Sequence, residues 1–262
     1  MTESTNPALG DAPILPSFRL DGQRALVTGA GRGIGQACAV GLAEAGAEVI
    51  LVSRTAGEIE ATAEAIRAKG LSARAVACDV TDAGAVRALF GSLDRLDILL
   101  NNAGGAVAGP LFTISEDAID MMLTLNCKAA VIVAQEALKI MDRQSSGVVI
   151  NLSSTFGKNG RPLNSVYSAT KHFIEGFTKS IAVEFAPKGI RVCAVGPTAI
   201  DTPMTHERLT DPVIGKDLLS RIPMGRFGQP VDIIGAVVFL ASPAAALITD
   251  TTVMIDGGWT AQ

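Results

Sequence analysis

Short apolar runs alternate with longer amphipathic stretches along most of the chain. The short runs predict strands at residues 25–28, 49–53, 73–77, 98–101, 148–152, 191–195 and 252–255. The longer stretches carry apolar residues at helical spacing and predict helices at residues 34–45, 58–68, 83–90, 117–141, 167–185 and 231–241. Strands that alternate with helices are typical of right-handed βαβ crossovers and a parallel sheet. The pattern therefore predicts an α/β fold with a seven-stranded parallel sheet and helices on both faces.

The domain organisation follows from the same pattern. No low-complexity linker, composition break or repeat of about 20–50 residues divides the chain, so we predict a tail at residues 1–20 and a single doubly wound (Rossmann) domain at residues 21–262. Residues 198–228 interrupt the pattern with three prolines and eight charged residues. They predict a loop with a short helix after the sixth strand. Ligands of open α/β sheets bind beyond the carboxyl ends of the strands, so this loop is expected to cover the site.

Composition narrows the class of protein. The chain has 262 residues, of which 48% are hydrophobic and 18% charged, and its formal net charge is -4. These values are typical of a soluble globular protein and give no basic footprint for nucleic acid. The N-terminus lacks the basic start and apolar run of a secretory signal, and no apolar run is long enough to span a membrane. We therefore expect a cytoplasmic protein. The four cysteines are far apart and suggest neither a zinc site nor a redox pair.

A glycine-rich turn follows the first predicted strand. Residues 28–35 read Thr-Gly-Ala-Gly-Arg-Gly-Ile-Gly and run directly into the first predicted helix. Glycines in such a turn let the backbone approach a pyrophosphate, which then faces the positive end of the helix dipole. The turn therefore predicts a dinucleotide site, although a tight strand-to-helix connection without a ligand is the alternative.

The end of the second strand distinguishes the two nicotinamide dinucleotides. An acidic residue there would accept a hydrogen bond from the adenosine 2′-hydroxyl, whereas a basic residue would hold a 2′-phosphate. Ser53 and Arg54 occupy the position, and Arg32 in the glycine turn can join Arg54 in clamping a phosphate. NADP(H) is favoured. NAD(H) stays open as the alternative, in which Arg54 is only a solvated strand-end residue.

Two further strand ends carry candidate cofactor contacts. Asp79 ends the third strand and can accept from the adenine amino group, or it is simply the cap of the next helix. Residues 101–105 after the fourth strand read Asn-Asn-Ala-Gly-Gly. Amides and small residues there suit a tight turn beside a bound adenosine ribose.

Tyr167 and Lys171 are the most informative pair. They stand four residues apart, so their side chains are neighbours on one helix face, and Tyr167 is the only tyrosine in the chain. A phenol titrates near 10, so acid or base work near pH 7 needs its pKa lowered by about 3 units. An adjacent ammonium and a positive nicotinamide ring can supply that shift. Ser154, 13 residues before Tyr167, can hold a carbonyl oxygen beside the phenol, or it is a turn serine.

Taken in order, the glycine turn, the Asn-Asn-Ala-Gly turn, Ser154 and the Tyr-x-x-x-Lys pair resemble the short-chain dehydrogenase/reductase family. The resemblance covers nearly the whole chain, from Gly22 to the Ile-Asp-Gly-Gly ending at Gly258. It implies a catalytic tetrad of Asn126, Ser154, Tyr167 and Lys171. In the mechanism it implies, Tyr protonates the carbonyl oxygen as hydride arrives, Ser positions that oxygen, and Lys holds the nicotinamide ribose and lowers the pKa of Tyr.

The resemblance also implies that Asn126 holds a water molecule, which links Lys171 to the solvent. By sequence alone this mid-helix asparagine indicates a kink. One departure from the family is Thr198, which follows Pro197 where the family usually has glycine. No metal is expected. The complete set of expected cofactor contacts is Gly29, Gly31, Arg32, Gly33, Ile34, Gly35, Ser53, Arg54, Asp79, Val80, Asn101, Ala103, Gly104, Tyr167, Lys171, Pro197, Ile200 and Thr202.

The substrate is less tightly specified. The general resemblance is to 3-oxoacyl-acyl-carrier-protein reductases and to bacterial sugar or polyol dehydrogenases, and it implies NADPH-linked reduction of a 3-oxoacyl-type or other polar small carbonyl, with a sugar, sugar-acid or polyol dehydrogenase as the alternative. Lys188 fits a carrier-protein contact, but Ser145 stands where such reductases often carry Arg. Polar residues at 158–164 and at 206–208, including Lys158, Arg161 and His206, favour a polar or anionic small substrate.

A different class of function stays open, namely a dinucleotide-binding sensor without catalysis. The filled tetrad speaks against it. The resemblance further implies a homotetramer or homodimer, assembled through the helices at 117–141 and 167–185. Both helices are apolar on more than one stripe, as expected for burial on two sides.

Overall fold

The structure, a computed structural model, describes residues 14–262, so the first part of the predicted tail lies outside the described residues. Seven parallel strands form one sheet in the order β3-β2-β1-β4-β5-β6-β7, which confirms the predicted fold class. The strands are β1 (Arg24–Thr28), β2 (Glu48–Ser53), β3 (Ala73–Ala77), β4 (Ile98–Asn101), β5 (Gly147–Leu152), β6 (Ile190–Pro197) and β7 (Thr252–Ile255). The strand order reverses between β1 and β4, which is where a doubly wound sheet opens a crevice for its ligand.

Nine α-helices are found in the described residues. They are α1 (Gly33–Glu44), α2 (Ala56–Arg67), α3 (Ala83–Gly91), α4 (Glu116–Leu123), α5 (Ala130–Gln144), α6 (Ser165–Phe185), α7 (His206–Thr210), α8 (Ile214–Ser220) and α9 (Val231–Ala241). Local sequence fixes several helix starts. Asp82 caps α3 by accepting from the amides of Gly84 and Ala85, and Ser115 caps α4 by accepting from the amide of Ala118.

Alternate residues of each central strand face opposite sides of the sheet, and each side carries its own apolar core. Val27 of β1 packs into the core shared with α1, α2 and α9, while its neighbour Leu26 packs into the core shared with α3, α5 and α6. The same alternation continues along β2 and β4. Leu20, the last residue of the predicted tail, is fully buried in the first of these cores.

The long helix predicted at residues 117–141 is not continuous. Between α4 and α5, residues Thr124–Ala129 wind as a π-helix, which widens the helix by one residue per turn. Asn126 and Cys127 both lie inside this segment. The apolar periodicity predicted the element but not its break, whereas the mid-helix Asn126 indicated a kink at the position where the π-helix is found.

The segment 198–228 folds over the carboxyl edge of the sheet and contains two short helices, α7 and α8, where one was predicted. A parallel bridge between Ile200 and Gly228 closes it at its base. No helix in the described part of the chain is long and apolar enough to cross a membrane.

Candidate active site

The glycine turn between β1 and α1 is shaped for close approach of a ligand to the backbone. Gly29 and Gly33 have φ of +65° and +62°, a region that side chains rarely adopt. A Cβ on Gly35 would lie 2.3 Å from the carbonyl oxygen of Gly29, so only glycine fits there. The first turn of α1 has no side-chain cap, because Arg32 makes no capping hydrogen bond. Uncapped amides at the positive end of a helix bind phosphate, so these residues fit the pyrophosphate of a dinucleotide.

The turn after β4 is joined to the glycine turn across the crevice. The hydroxyl of Thr28 accepts from the amides of Asn102 and Ala103 at 2.9 and 3.0 Å, and the amide side chain of Asn102 donates to the Thr28 carbonyl at 2.8 Å. Sequence reasoning named Asn101 rather than Asn102. The side chain of Asn101 donates inward to the carbonyl of Ala130 at 2.9 Å. Asn102 and Thr28 are the residues it missed, and the doubled Asn in the motif was the available signal.

The two basic residues expected at the 2′-phosphate make no ion pair within residues 14–262. Arg54 follows β2 and is exposed, and Arg32 is exposed at the mouth of the glycine turn. The hydroxyl oxygen of Ser53 lies near Gly31: a Cβ added to Gly31 would be 3.3 Å from it. The carboxylate of Glu58 in α2, which was not among the expected contacts, lies on the same side, 2.6 Å from where a Cβ on Gly31 would be.

Asp79 does not cap α3, because Asp82 does so. A carboxylate oxygen of Asp79 accepts from the amide and the hydroxyl of Thr81 at 2.9 and 2.8 Å. Burial alone would raise the pKa of Asp79, but these hydrogen bonds and the charge of Arg54 lower it overall. Val80 beside it is buried. Asp79 is therefore an ionised acceptor at the edge of the crevice.

Tyr167, Lys171 and Ser154 converge at the carboxyl edge of β5. Tyr167 lies in the first turn of α6, and the Nζ of Lys171, one turn later, is 5.7 Å from the centre of the Tyr167 ring. Lys171 donates to the carbonyl of Leu152 at 2.7 Å, which ties it to the end of β5. Ser154 is buried and caps a 3₁₀ turn at residues 155–157, where its hydroxyl accepts from the amide of Phe156 at 3.2 Å.

Asn126 completes this group from the π-helical segment. Its side-chain oxygen accepts from the amide of Gly105 at 2.9 Å, and its amide donates to the Gly105 carbonyl at 2.8 Å and to the hydroxyl of Thr170 at 3.1 Å. A Cβ on Gly104 would lie 3.3 Å from this oxygen and 3.9 Å from the Nζ of Lys171. Asn126 therefore holds the β4 turn against the helix that carries Lys171.

Burial dominates the titration of both groups. It raises the pKa of Tyr167 to about 12, and the nearby Ser154 hydroxyl lowers that pKa only in part. Burial lowers the pKa of Lys171 to about 8, against the raising influence of Cys127 and Glu175. The expected lowering of the Tyr167 pKa by Lys171 is therefore not a property of the chain alone, because desolvation of the phenol outweighs it.

Residues after β6 connect the covering segment to the glycine turn. Thr202 packs against Gly33, whose Cβ would lie 3.3 Å from the Thr202 methyl group. Ile200 is buried. Pro197 ends β6, and the hydroxyl of Thr198 is buried without a hydrogen-bond partner in the part of the chain that the structure describes. Thr198 lines a cavity of about 390 Å³ under the covering segment.

An aromatic wall separates the tetrad from the covering segment. The ring of Phe156 meets Tyr167 edge-on at 6.1 Å between centres. The guanidinium of Arg161 lies 5.9 Å from the centre of Phe156 and 5.6 Å from that of Trp259. Arg161 also pairs with Asp217 of α8 at 2.7 Å. Arg161 was among the polar residues expected near the substrate, whereas Trp259 was missed; its being the only tryptophan in the chain was the available signal.

The two histidines do not face the tetrad. The Nδ1 of His172 lies 2.9 Å from the carbonyl oxygen of Ser168 on its own helix. His206, at the start of α7, pairs with Asp201 and is exposed. Within residues 14–262, no group of three or more His, Cys, Asp and Glu side chains has the arrangement of a metal site.

Comparisons with known proteins identify the family. The family model described as enoyl-(acyl carrier protein) reductase matches residues 29–260. The chain is 37% identical over 245 residues to L-xylulose reductase of Bos taurus, a match covering 93% of this chain and 99% of that protein. It is 42% identical over 242 residues to a 3-oxoacyl-[acyl-carrier-protein] reductase of Staphylococcus aureus, covering 89% and 96%.

A solved structure shares the fold. The gluconate 5-dehydrogenase of Burkholderia cenocepacia, in complex with NADP and tartrate, superimposes with a TM-score of 0.91 at 34% identity and covers 95% of this chain and 100% of that one. The family model and these relatives span the glycine turn, Ser154 and the Tyr-x-x-x-Lys pair alike. The chain therefore belongs to the short-chain dehydrogenase/reductase family of NAD(P)-dependent oxidoreductases.

Proposed function

We propose that this protein uses NADP(H) to interconvert a small polar ketone and its secondary alcohol, and that Asn126, Ser154, Tyr167 and Lys171 form its catalytic tetrad. The observation that carries the proposal is the half-buried Tyr167 phenol, with Ser154 and Lys171 beside it, at the edge of the crevice that holds the glycine turn. A phenol whose pKa is raised stays protonated at neutral pH, so it is available as an acid.

The roles of the tetrad follow from its contacts. The nicotinamide supplies the hydride when the cofactor is bound. Tyr167 donates its proton to the carbonyl oxygen, and the Ser154 hydroxyl holds that oxygen next to the phenol. Lys171 is anchored to the end of β5, and its ammonium lies beside Gly104 of the β4 turn, where it would hold the nicotinamide ribose. Asn126 positions the β4 turn beside Lys171.

A polar substrate is favoured by the wall of the site. Arg161 is only 12% exposed, and one phenyl ring separates its guanidinium from Tyr167. The guanidinium lies over the Phe156 and Trp259 rings and donates one N–H to Asp217, which leaves its other N–H donors for substrate hydroxyl groups. Several relatives act on such compounds by name, including the xylulose reductase and the gluconate dehydrogenase. A sugar, sugar-acid or polyol substrate is therefore the leading class.

Reduction of a 3-oxoacyl thioester on a carrier protein is the second candidate, supported by the Staphylococcus relative. Carrier proteins are acidic, so their docking would need an uncompensated basic patch. Lys188, the expected contact, is paired with Asp142 at 3.0 Å. The surface groove between α5 and α6 that Lys188 lines also contains Glu184. These acids weaken the attraction, which places this candidate second.

A substrate panel separates the two candidates. Initial rates of NADPH oxidation are measured with 3-oxoacyl thioesters and with keto-sugars and keto-acids, beside NADP⁺ and NAD⁺ reduction with polyols and sugar acids. We expect turnover with the polar compounds. Fast turnover of the thioesters alone would overturn the polar-substrate proposal, and cofactor binding without any turnover would support the sensor alternative.

Cofactor preference is predicted to depend on Arg54. Hydrogen bonds to charged groups contribute about 1.5–3 kcal/mol, so Arg54→Asp should lower the preference of kcat/KM for NADPH over NADH by about 10–100-fold. Arg143→Asp, which makes the same charge change at the end of α5, is the control and should leave the ratio unaltered. If both variants keep the wild-type ratio, NAD(H) binding without a phosphate clamp becomes the better account.

We further propose a cytoplasmic homodimer or homotetramer. The four cysteines of the chain are buried free thiols, as expected in a reducing compartment. A groove of about 330 Å³ runs between α5 and α6, and Phe173 and Val183 of α6 are exposed beside it. Pairing of these helices across a two-fold axis would cover that apolar surface. Light scattering that finds only a 27.0 kDa species would refute the assembly.

A further inference from the structure

A second cluster of buried polar groups lies directly behind the tetrad, centred on Glu175. This carboxylate is only 7% exposed. One oxygen accepts from the Nζ of Lys158 at 2.5 Å and from the hydroxyl of Thr252 at 2.6 Å. The other accepts from the hydroxyl of Ser153. A buried carboxylate is tolerated only when it is paired and hydrogen-bonded, and Glu175 has three donors, two that flank one 3₁₀ turn and one in β7.

The cluster is continuous with the catalytic residues. Tyr167, Lys171 and Glu175 are spaced four residues apart and therefore share one stripe of α6. Ser153 directly precedes Ser154, and Lys158 directly follows the 3₁₀ turn that Ser154 begins. That turn packs against α6, and the Glu175 carboxylate accepts hydrogen bonds from the residues at both ends of the turn.

Close packing at Gly157 shows how little freedom this arrangement has. A Cβ at Gly157 would come within 3.0 Å of the Lys171 carbonyl oxygen and 3.1 Å of the Cγ of Glu175. The turn that carries Ser154 is therefore pressed against the part of α6 that carries Lys171. Displacement of Glu175 would move Ser154 relative to Tyr167.

We propose that Glu175 is a positioning residue of the active site: its buried carboxylate fixes the Ser154 turn against α6 and stabilises the ammonium of Lys171. The inference rests on the proposed tetrad. Lys158 forms an ion pair with Glu175 and thereby partly neutralises the negative charge that acts on Lys171.

The charged and titratable groups around Lys171 determine the sign of the expected pH effect. They are Tyr167 and Glu175 on α6 and Cys127 on the π-helical segment; Lys158 faces Glu175 from the 3₁₀ turn. Glu175 raises the pKa of Lys171 against the lowering caused by burial. Removal of its negative charge therefore lets Lys171 lose its proton at lower pH, while removal of the Lys158 charge acts in the opposite direction.

The test is the pH profile of NADPH-linked reduction by Glu175→Gln. The alkaline limb of log(kcat/KM) is expected to move to lower pH by about 0.5 unit or more, since one unit corresponds to about 1.4 kcal/mol of differential charge stabilisation. At pH 6.5, kcat is expected to fall about tenfold because Ser154 is displaced, while the Kd of NADPH, measured by fluorescence, changes less than about threefold.

Two further variants and a control make the result specific. Glu175→Asp retains the charge and should restore the position of the limb. Lys158→Met should move the limb to higher pH, and it decides the matter if Glu175→Gln does not fold. Glu64→Gln removes an exposed carboxylate of α2 and should match wild type. A limb that stays in place in both Glu175→Gln and Lys158→Met overturns the proposal.

Parallel measurement of Tyr167→Phe separates this inference from the proposed function. If Tyr167→Phe is inactive and Glu175→Gln behaves as wild type, only the role of Glu175 fails. If Tyr167→Phe retains full activity, the tetrad fails, and the role of Glu175 fails with it.

Discussion

Tyr167→Phe should lose carbonyl reduction almost completely while still binding NADPH. The substitution removes one hydroxyl and keeps the ring that packs edge-on against Phe156. The hydroxyl is the group that gives its proton to the substrate oxygen, and general acid catalysis contributes about 10²–10⁴-fold. We therefore expect kcat to fall by about that factor. The Kd of NADPH should stay within about threefold of wild type, because the glycine turn and the arginines are untouched.

Steady-state rates and NADPH fluorescence titration of the purified variant measure both effects. Ser180→Ala is the matched control, because it removes an exposed hydroxyl from the same helix, one that donates to the Gly176 carbonyl. It should retain wild-type kcat. Retention of more than about a tenth of the activity by Tyr167→Phe would contradict the role of the phenol as the acid.

Gly35→Ala is expected to disable the cofactor site and weaken the fold. The added Cβ would lie 2.3 Å from the Gly29 carbonyl oxygen and 2.5 Å from the side-chain Nδ2 of Asn102. A backbone carbonyl cannot move aside as a flexible side chain can, so the turn must change its shape. Overpacking of this kind costs about 1–3 kcal/mol of unfolding free energy. The Kd of NADPH should rise at least about tenfold, since the same turn holds the pyrophosphate.

Chemical denaturation and NADPH titration measure these losses. The matched control is Gly57→Ala in the first turn of α2, where an added Cβ meets nothing within 4 Å. Alanine favours a helix over glycine by about 0.5–1 kcal/mol, so this control should be as stable as wild type or slightly more stable. Wild-type stability and NADPH affinity in Gly35→Ala would show that the turn is not the cofactor site.

The parts of the fold set by local pattern were predictable from the sequence. Short apolar runs predicted the seven strands to within one or two residues, and the glycine turn stood in the correct place after β1. For the break between α4 and α5, the sequence offered only the mid-helix Asn126, which indicated a kink but not its π-helical form. The break is supported by hydrogen bonds from Asn126 to Gly105, which is 21 residues away in the chain. Sequence spacing does not report such contacts.

The candidate site was predictable in its chemical groups but less so in its surroundings. Tyr167, Lys171 and Ser154 do meet at one sheet edge, as the strand ends indicated. Glu175 gave no signal, because a glutamate on an amphipathic helix usually faces water. Its burial became visible only once β5, β7 and the 3₁₀ turn were placed around it. The rise in the Tyr167 pKa likewise depends on burial, which spacing along a helix does not reveal.

The most direct test of the account follows the hydride itself. The protein is incubated with a polar ketone that the panel identifies and with NADPH carrying deuterium at both C4 positions, and the alcohol is analysed by mass spectrometry and NMR. We expect one deuterium on the carbinol carbon of the product, and labelling by Tyr167→Phe that is slower by about 10²–10⁴-fold. Alcohol without deuterium at that carbon, or labelling by Tyr167→Phe at the wild-type rate, would contradict this expectation.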